Sequence, residues 1–139
     1  MGLPRQRAYS AIVGFQRKIL VADDNVDSAS AWETLFTQRG HSVRVEHDGQ
    51  TACDTAMQFR PHVAVLDIGM PRMSGHEVAR EIRRQPWGKD VLLLAISGWG
   101  EAKDKERARE AGFDHHRTKP ADPEEIMSVI EALFRRRVK

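Results

Sequence analysis

Cysteine is nearly absent from this chain of 139 residues, in which Cys53 is the single example. One cysteine excludes an internal disulfide and is typical of proteins kept in a reducing compartment. The sequence also lacks an apolar run of membrane-spanning length, and its first residues lack the continuous apolar core of a signal peptide. We therefore expect a cytoplasmic protein that makes no membrane contact through this chain.

A strong charge of one sign is missing as well. The chain has 22 lysines and arginines against 20 aspartates and glutamates, which gives a formal net charge of +2. A balance so close to zero does not favour nucleic acid as a partner. With 40% hydrophobic and 30% charged residues, the composition is typical of a globular protein, and the length suits one domain with a single core.

Short apolar stretches alternate with stretches of helical periodicity from Lys18 onward. Residues 1–17 show no clear period and are interpreted as an extension or linker, so that residues 18–137 form the domain. The alternation predicts an α/β fold with a doubly wound, five-stranded parallel sheet, in which ligands bind at the carboxyl ends of the strands. The predicted strands are residues 19–22, 43–46, 63–67, 91–96 and 113–118. The predicted helices are residues 26–39, 49–59, 75–84, 101–112 and a fifth that starts near 123.

Polar side chains stand where the predicted strands end. Asp23 and Asp24 follow the first strand, Asp67 ends the third, and Ser97 and Lys119 follow the fourth and fifth. These ends share one edge of a parallel sheet, so we expect the side chains to converge in one crevice. Clustered carboxylates repel each other unless a cation lies among them, and oxygen ligands suit Mg²⁺. With an ammonium and a hydroxyl nearby, this edge predicts a site for a metal and a phosphoryl group together.

Four segments, in this order along the chain, carry a resemblance to a known family: LVADDN, VAVLDIGMPRMSG, LAISGWG and RTKPADPEEI. They resemble the receiver domain of two-component response regulators over residues 18 to about 136. The segment SGWGEAKDKERAREAGFDHH is most similar to receivers of hybrid sensor histidine kinases. The resemblance implies the flavodoxin-like receiver fold with strand order 2-1-3-4-5. It also implies that a histidine kinase or a histidine phosphotransfer protein is the partner.

The resemblance assigns Asp67 as the phosphoacceptor. Its carboxylate would attack the phosphoryl group of a partner's phosphohistidine and form an acyl phosphate. Mg²⁺ would be held by Asp23, Asp24, Asp67 and the backbone carbonyl of Gly69. The resemblance also implies that such a chain would catalyse its own phosphotransfer and the later loss of the phosphoryl group.

Further positions of the family's switch are implied in the same way. Lys119 would pair with a phosphoryl oxygen, and the peptide bond before Pro120 would be cis. Ser97 stands where the family has a hydroxyl that moves toward the phosphoryl group. His116 stands where the family more often has Tyr or Phe, and Trp99 is expected at the pocket rim. Their movement would change a surface of helix four, strand five and helix five, where partners or a second receiver dock.

Two other function classes fit parts of this pattern. A degenerate receiver would act only as a protein-interaction module, but the complete set of acids, serine and lysine argues against it. A Mg²⁺ phosphatase of the haloacid dehalogenase type also uses an aspartate at a strand end. Such enzymes need a second acid two residues later, where Gly69 stands here. Taken singly, Asp67 and the paired acids are most simply turn residues, so only their joint order carries the functional prediction.

Overall fold

The computed structural model describes residues 16–98, 100 and 102–138. Its strands are β1 (Lys18–Ala22), β2 (Ser42–Glu46), β3 (Val63–Asp67), β4 (Leu92–Ser97) and β5 (His115–Thr118). Its helices are α1 (Val26–Gln38), α2 (Gly49–Phe59), α3 (Gly75–Arg84), α4 (Ala102–Ala111) and α5 (Pro123–Val138). The strands are parallel and lie in the order β2-β1-β3-β4-β5, which confirms the predicted fold class and strand order. Among the described residues, no helix is long and apolar enough to cross a membrane.

Two apolar layers, one on each face of the sheet, hold the fold together. On one face, α1 and α5 contribute Trp32, Phe36 and Ile130, which pack against the central strands. On the other face, α2, α3 and α4 pack through smaller side chains such as Ala56 and Ala108. Burial of one large side chain contributes about 1.5–3 kcal/mol to stability. β3 and β4 are buried along their whole length, so the polar residues at their ends lie on a rigid support.

The structure differs from the sequence prediction around the start of β5. The predicted strand began at residue 113, whereas β5 begins at His115. Phe113 is buried, but its N–H donates to the carbonyl of Ala108 and so closes α4 instead of extending the sheet. Gly112, with a φ of +107°, makes this turn, because that backbone conformation is strained for residues with a side chain. An unpredicted 3₁₀ helix, Pro86–Asp90, joins α3 to β4.

Arg83, in the last turn of α3, connects α3 to the segments that precede β4 and β5. Its guanidinium donates to the backbone carbonyls of Val91 at 2.6 Å and Gly112 at 2.7 Å. It also pairs with the Asp114 carboxylate at 2.9 Å, which accepts the Leu93 N–H at the same distance. One planar side chain with five donors thereby joins α3, β4 and the turn before β5.

Two histidines hold the amino-terminal end of β1. Nδ1 of His41 accepts the backbone N–H of Arg17 at 3.0 Å, and Nδ1 of His62 accepts that of Lys18 at 2.8 Å. A nitrogen that accepts carries no proton, so both rings are neutral in this arrangement. Burial, with the charges of Arg17 and Arg39, lowers the pKa of His41 to about 4. Burial and nearby cations also lower the pKa of His62.

We predict that His41 makes the fold sensitive to acid. Its folded pKa of about 4 lies below its ordinary value of 6.5, so its contribution is complete above pH 6.5 and is lost as the pH falls toward 4. One such group lowers the free energy of unfolding by at most about 1.4 kcal/mol per pH unit in this window. Urea unfolding should be compared between the wild type and His41→Asn, whose Oδ1 can accept the same bond without titrating. Parallel stability curves across the window would exclude His41 as the cause.

Candidate functional site

Three carboxylates meet at the carboxyl edge of the sheet. Asp67 is the last residue of β3, and Asp23 and Asp24 directly follow the neighbouring β1. The register that pairs Ala22 with Leu66 sets the two strand ends side by side. One carboxylate oxygen from each of the three acids lies within 4.8 Å of the others. Asp23 and Asp67 are buried, with 6% and 3% of their surface exposed, whereas Asp24 is exposed.

Lys119 reaches this cluster from the loop after β5. Its Nζ donates to Oδ2 of Asp67 at 2.8 Å. The peptide bond between Lys119 and Pro120 is cis, as the sequence predicted. Burial acts to lower the pKa of Lys119, but the hydrogen bond and charge of Asp67, with the charges of the two neighbouring acids, raise it overall. The ammonium therefore stays charged, while its 39% exposed side chain remains accessible to an incoming anion.

The backbone around Asp67 leaves one side of the carboxylate open. Oδ1 of Asp67 accepts the N–H of Gly69 at 3.1 Å, and a Cβ built on Gly69 would meet nothing within 4 Å. Gly75 is the opposite case, because a Cβ there would lie 2.6 Å from the backbone oxygen of Asp67. α3 starts at this glycine, and Ser74 and Glu77 form a capping box around its first turn. Gly75 thus lets the chain pass close to the backbone of the acid, and Gly69 adds no side chain beside the carboxylate.

The electrostatics of Asp23 fit a cation site. Burial raises its pKa, the N–H of Asn25 opposes that by donating to Oδ1 at 2.9 Å, and the charge of Asp67 raises the pKa further. A pKa raised in this way means that the ionised form is under-stabilised beside its like-charged neighbour. The donor set consists of carboxylate oxygens, which suits a hard divalent cation such as Mg²⁺. The residues present therefore fit the metal that the sequence predicted.

His47 is a residue of this site that no sequence pattern indicated. Its Nδ1 lies 3.0 Å from the backbone oxygen of Asp23, which can only accept, so this nitrogen carries the proton. His47 follows β2, the neighbour of β1, and its contact holds the loop that carries Asp23. A lone histidine after a strand has no distinguishing spacing, so this role became visible only from the folded chain.

Ser97 and His116 form a second group beside the acids. Ser97, the last residue of β4, is buried, and its Oγ lies 2.9 Å from Nε2 of His116 on β5. The sequence marked both residues as switch positions but did not predict this bond. Trp99, which was predicted at the pocket rim, lies outside the described residues.

Comparison with known proteins agrees with this geometry. The family model of the response regulator receiver domain matches residues 19–131. The response regulator MprA of Mycobacterium avium (strain 104) is 34% identical over 119 residues, which are 86% of this chain and 51% of that protein. The chain spans about half the length of the curated relatives it matches.

Solved structures give the same fold. The chemotaxis response regulator CheY4 of Vibrio cholerae matches with a TM-score of 0.79 and 24% identity, over 84% of this chain and 98% of that chain. The receiver domain of the sensor histidine kinase PA1611 of Pseudomonas aeruginosa PAO1 matches with a TM-score of 0.76 and 26% identity, over 84% and 96%. That domain holds a magnesium ion in its active site cleft. The more specific similarity to hybrid-kinase receivers stays a prediction for this chain.

The family match covers most of the chain, and the strand order and the acids at the sheet edge agree with it. This chain therefore belongs to the response regulator receiver domains, the phosphoacceptors of two-component signalling.

Proposed function

We propose that this receiver accepts a phosphoryl group on Asp67 from the phosphohistidine of a histidine kinase or a histidine phosphotransfer protein. The observation that carries the proposal is the position of Asp67, a buried carboxylate beside two other acids and within 2.8 Å of Lys119. Like charges this close oppose each other, so packing alone does not account for them. A nucleophile that acts beside a bound cation accounts for this grouping of acids.

Transfer requires one Asp67 oxygen to attack the phosphorus. A phosphorus–oxygen bond forms as the partner's phosphorus–nitrogen bond breaks, and the electron pair returns to the imidazole nitrogen. Lys119 is then the cation that binds a phosphoryl oxygen, since its Nζ already contacts the carboxylate. The Ser97 hydroxyl is the proposed donor to a second oxygen, because Ser97 directly follows Ile96, the register partner of Asp67.

We also propose that Asp23, Asp24 and Asp67, with the carbonyl of Gly69, hold Mg²⁺. The clustered oxygens and the raised pKa of Asp23 support this, as does the magnesium ion in the PA1611 receiver. When bound, the ion supplies positive charge that offsets the negative charge of the transferring group. The protein's own contribution is to orient the Asp67 carboxylate and to keep Lys119 and Ser97 beside it.

The proposed output is a change in the surface formed by α4, β5 and α5, where a partner or a second copy of the receiver docks. His116 supports this link because its ring lines two cavities. One, of about 200 Å³, also contacts Ser97, and the other, of about 440 Å³, is bordered by Arg117 and Glu125. Those two residues form an ion pair at 2.5 Å that connects β5 to α5. Residues 18–137 remain the proposed extent of the domain.

Phosphorylation should depend on Asp67 alone. With a small phosphodonor and Mg²⁺, mass spectrometry of the intact wild type should show one added phosphoryl group, and Asp67→Asn should show none, since the amide is a poor nucleophile. Asp54→Asn, which changes an exposed acid on α2, is the matched control and should be labelled normally. A phosphoryl group that persists in Asp67→Asn would contradict the assignment.

Mg²⁺ alone should stabilise the protein, because it relieves the repulsion among the three carboxylates. At about ten times its Kd, a ligand that binds only the folded state raises the free energy of unfolding by about 1.4 kcal/mol. Thermal unfolding with and without Mg²⁺ measures this gain. Asp24→Asn should reduce it and also raise the Tm of the metal-free protein, since a like charge is removed.

The matched control for the metal site is Asp27→Asn, which changes an exposed acid in the first turn of α1. This variant should keep the full Mg²⁺-dependent gain in Tm. If millimolar Mg²⁺ leaves the wild-type Tm unchanged, the proposed metal site is wrong.

A further inference from the structure

The segment that joins β2 to α2, residues 46–49, contacts both loops that carry the acids of the site; we call it the β2–α2 junction. On one side it holds the backbone of Asp23. The carbonyl of Glu46 accepts the Asp23 N–H at 3.0 Å, and Nδ1 of His47 lies 3.0 Å from the Asp23 oxygen. The pairing of β1 with β2 ends at Glu46, so the imidazole adds one bond beyond the last backbone pair.

On its other side the junction holds the loop that follows Asp67. The N–H of Gly49, the first of α2, donates to the carbonyl of Pro71 at 3.2 Å. The first N–H groups of a helix have no partner within the helix, so this one is available for the neighbouring loop. The Asp48 carboxylate lies 3.8 Å from the guanidinium of Arg72. A Cβ built on Gly49 would lie 1.8 Å from a backbone oxygen of the same loop, so the approach requires glycine.

The loop that the junction holds has a strained backbone. The N–H of Met73 donates to the carbonyl of Pro71 at 2.9 Å, and Arg72 between them has a φ of +72°. These two features define a classic γ-turn, which is rare and strained. Such a conformation persists only where surrounding contacts maintain it. The contacts of Gly49 maintain it here, in the loop that also carries Gly69.

We propose that the β2–α2 junction positions the ligands of the metal site. His47 holds Asp23 from one side, and Gly49 holds the loop of Gly69 from the other. The inference rests on the proposed binding of Mg²⁺ by these ligands. Three carboxylates whose oxygens lie within 4.8 Å repel each other, so without a metal their loops are driven apart. Apparent affinity falls with the fraction of molecules in the binding arrangement, and the junction raises that fraction.

His47 acts in this arrangement as a hydrogen-bond donor. The backbone oxygen of Asp23 can only accept, so the proton lies on Nδ1. The side chain of Asp23 is held as well, because its Oδ1 accepts the N–H of Asn25 at 2.9 Å. The ring of His47 is exposed, so a substitution there removes the contact without opening the core.

The first test measures the Kd of the full chain for Mg²⁺ by isothermal titration calorimetry. His47→Leu removes the donor and should raise the Kd about threefold, within the range of one hydrogen bond. His47→Asn has an amide nitrogen at the position of Nδ1 and should recover most of the affinity. Gln50→Leu is the matched control, because it changes a nearby exposed side chain that bonds to Asp54 within α2, and it should keep the wild-type Kd.

The second test uses the reciprocity of linkage. If the junction favours Mg²⁺ binding, Mg²⁺ must strengthen the contacts of the junction by the same factor. Amide hydrogen exchange followed by NMR should show the Gly49 N–H exchanging about threefold more slowly in saturating Mg²⁺. The N–H of Thr51, which bonds to the Asp48 carboxylate in the same turn of α2, is the internal control and should change less. A purely structural role for the junction would not connect Gly49 to the metal.

The outcomes separate this inference from the proposed metal site. An unchanged Kd in His47→Leu, an equal loss in His47→Asn, or Gly49 exchange that ignores Mg²⁺ would overturn the positioning role and leave the metal site in place. A wild type that binds no Mg²⁺ would overturn the metal site and the inference together.

Discussion

The ammonium of Lys119 lies 2.8 Å from the carboxylate of Asp67, and this contact joins the loop after β5 to the end of β3 across the intervening strand. Without that cation, Asp67 would be a buried negative charge beside two like charges. The surrounding strands and the start of α3 position these charged groups. β3 is enclosed on both faces, the β1 register brings up Asp23, and Gly75 lets α3 begin directly against the acceptor's backbone. Repulsion among the three carboxylates opposes folding. The cation and the phosphoryl group that the cluster is proposed to bind explain why these acids lie together.

Histidine acts in several ways in this domain, and the protonated nitrogen distinguishes them. His41 and His62 accept backbone protons at the amino end of β1, so their neutral rings contribute to stability. His47 donates to the backbone oxygen of Asp23 and steadies the loop of the acidic cluster. Nε2 of His116 lies 2.9 Å from Oγ of Ser97, a contact in which either atom can be the donor. Acid therefore acts on stability at the amino-terminal end of β1, where the pKa of His41 is lowered to about 4.

Much of the fold could be predicted because it follows from local patterns. The bounds of α2 and α3 agree with the prediction, since helical periodicity is a local pattern, and the structure shows that Asp48 and Ser74 cap their first turns. The start of β5 and the 3₁₀ helix were not predicted. In the first case Phe113 is apolar and suits a strand, but its N–H closes α4. In the second, Arg83 holds the 3₁₀ helix by donating to Gly88 within it and to Val91 directly after it, and it also donates to the distant Gly112.

The sequence by itself determined which residues would share an edge, because strictly alternating strands and helices force a parallel sheet whose strand ends point one way. It also singled out the acids, Ser97 and Lys119 as residues of one site. Only the tertiary structure decided the contacts among them. The pairs Lys119–Asp67 and His116–Ser97 are separated by 52 and 19 residues, so their distances depend on the twist and register of the whole sheet. The same holds for His47, whose role exists only because β2 lies next to β1.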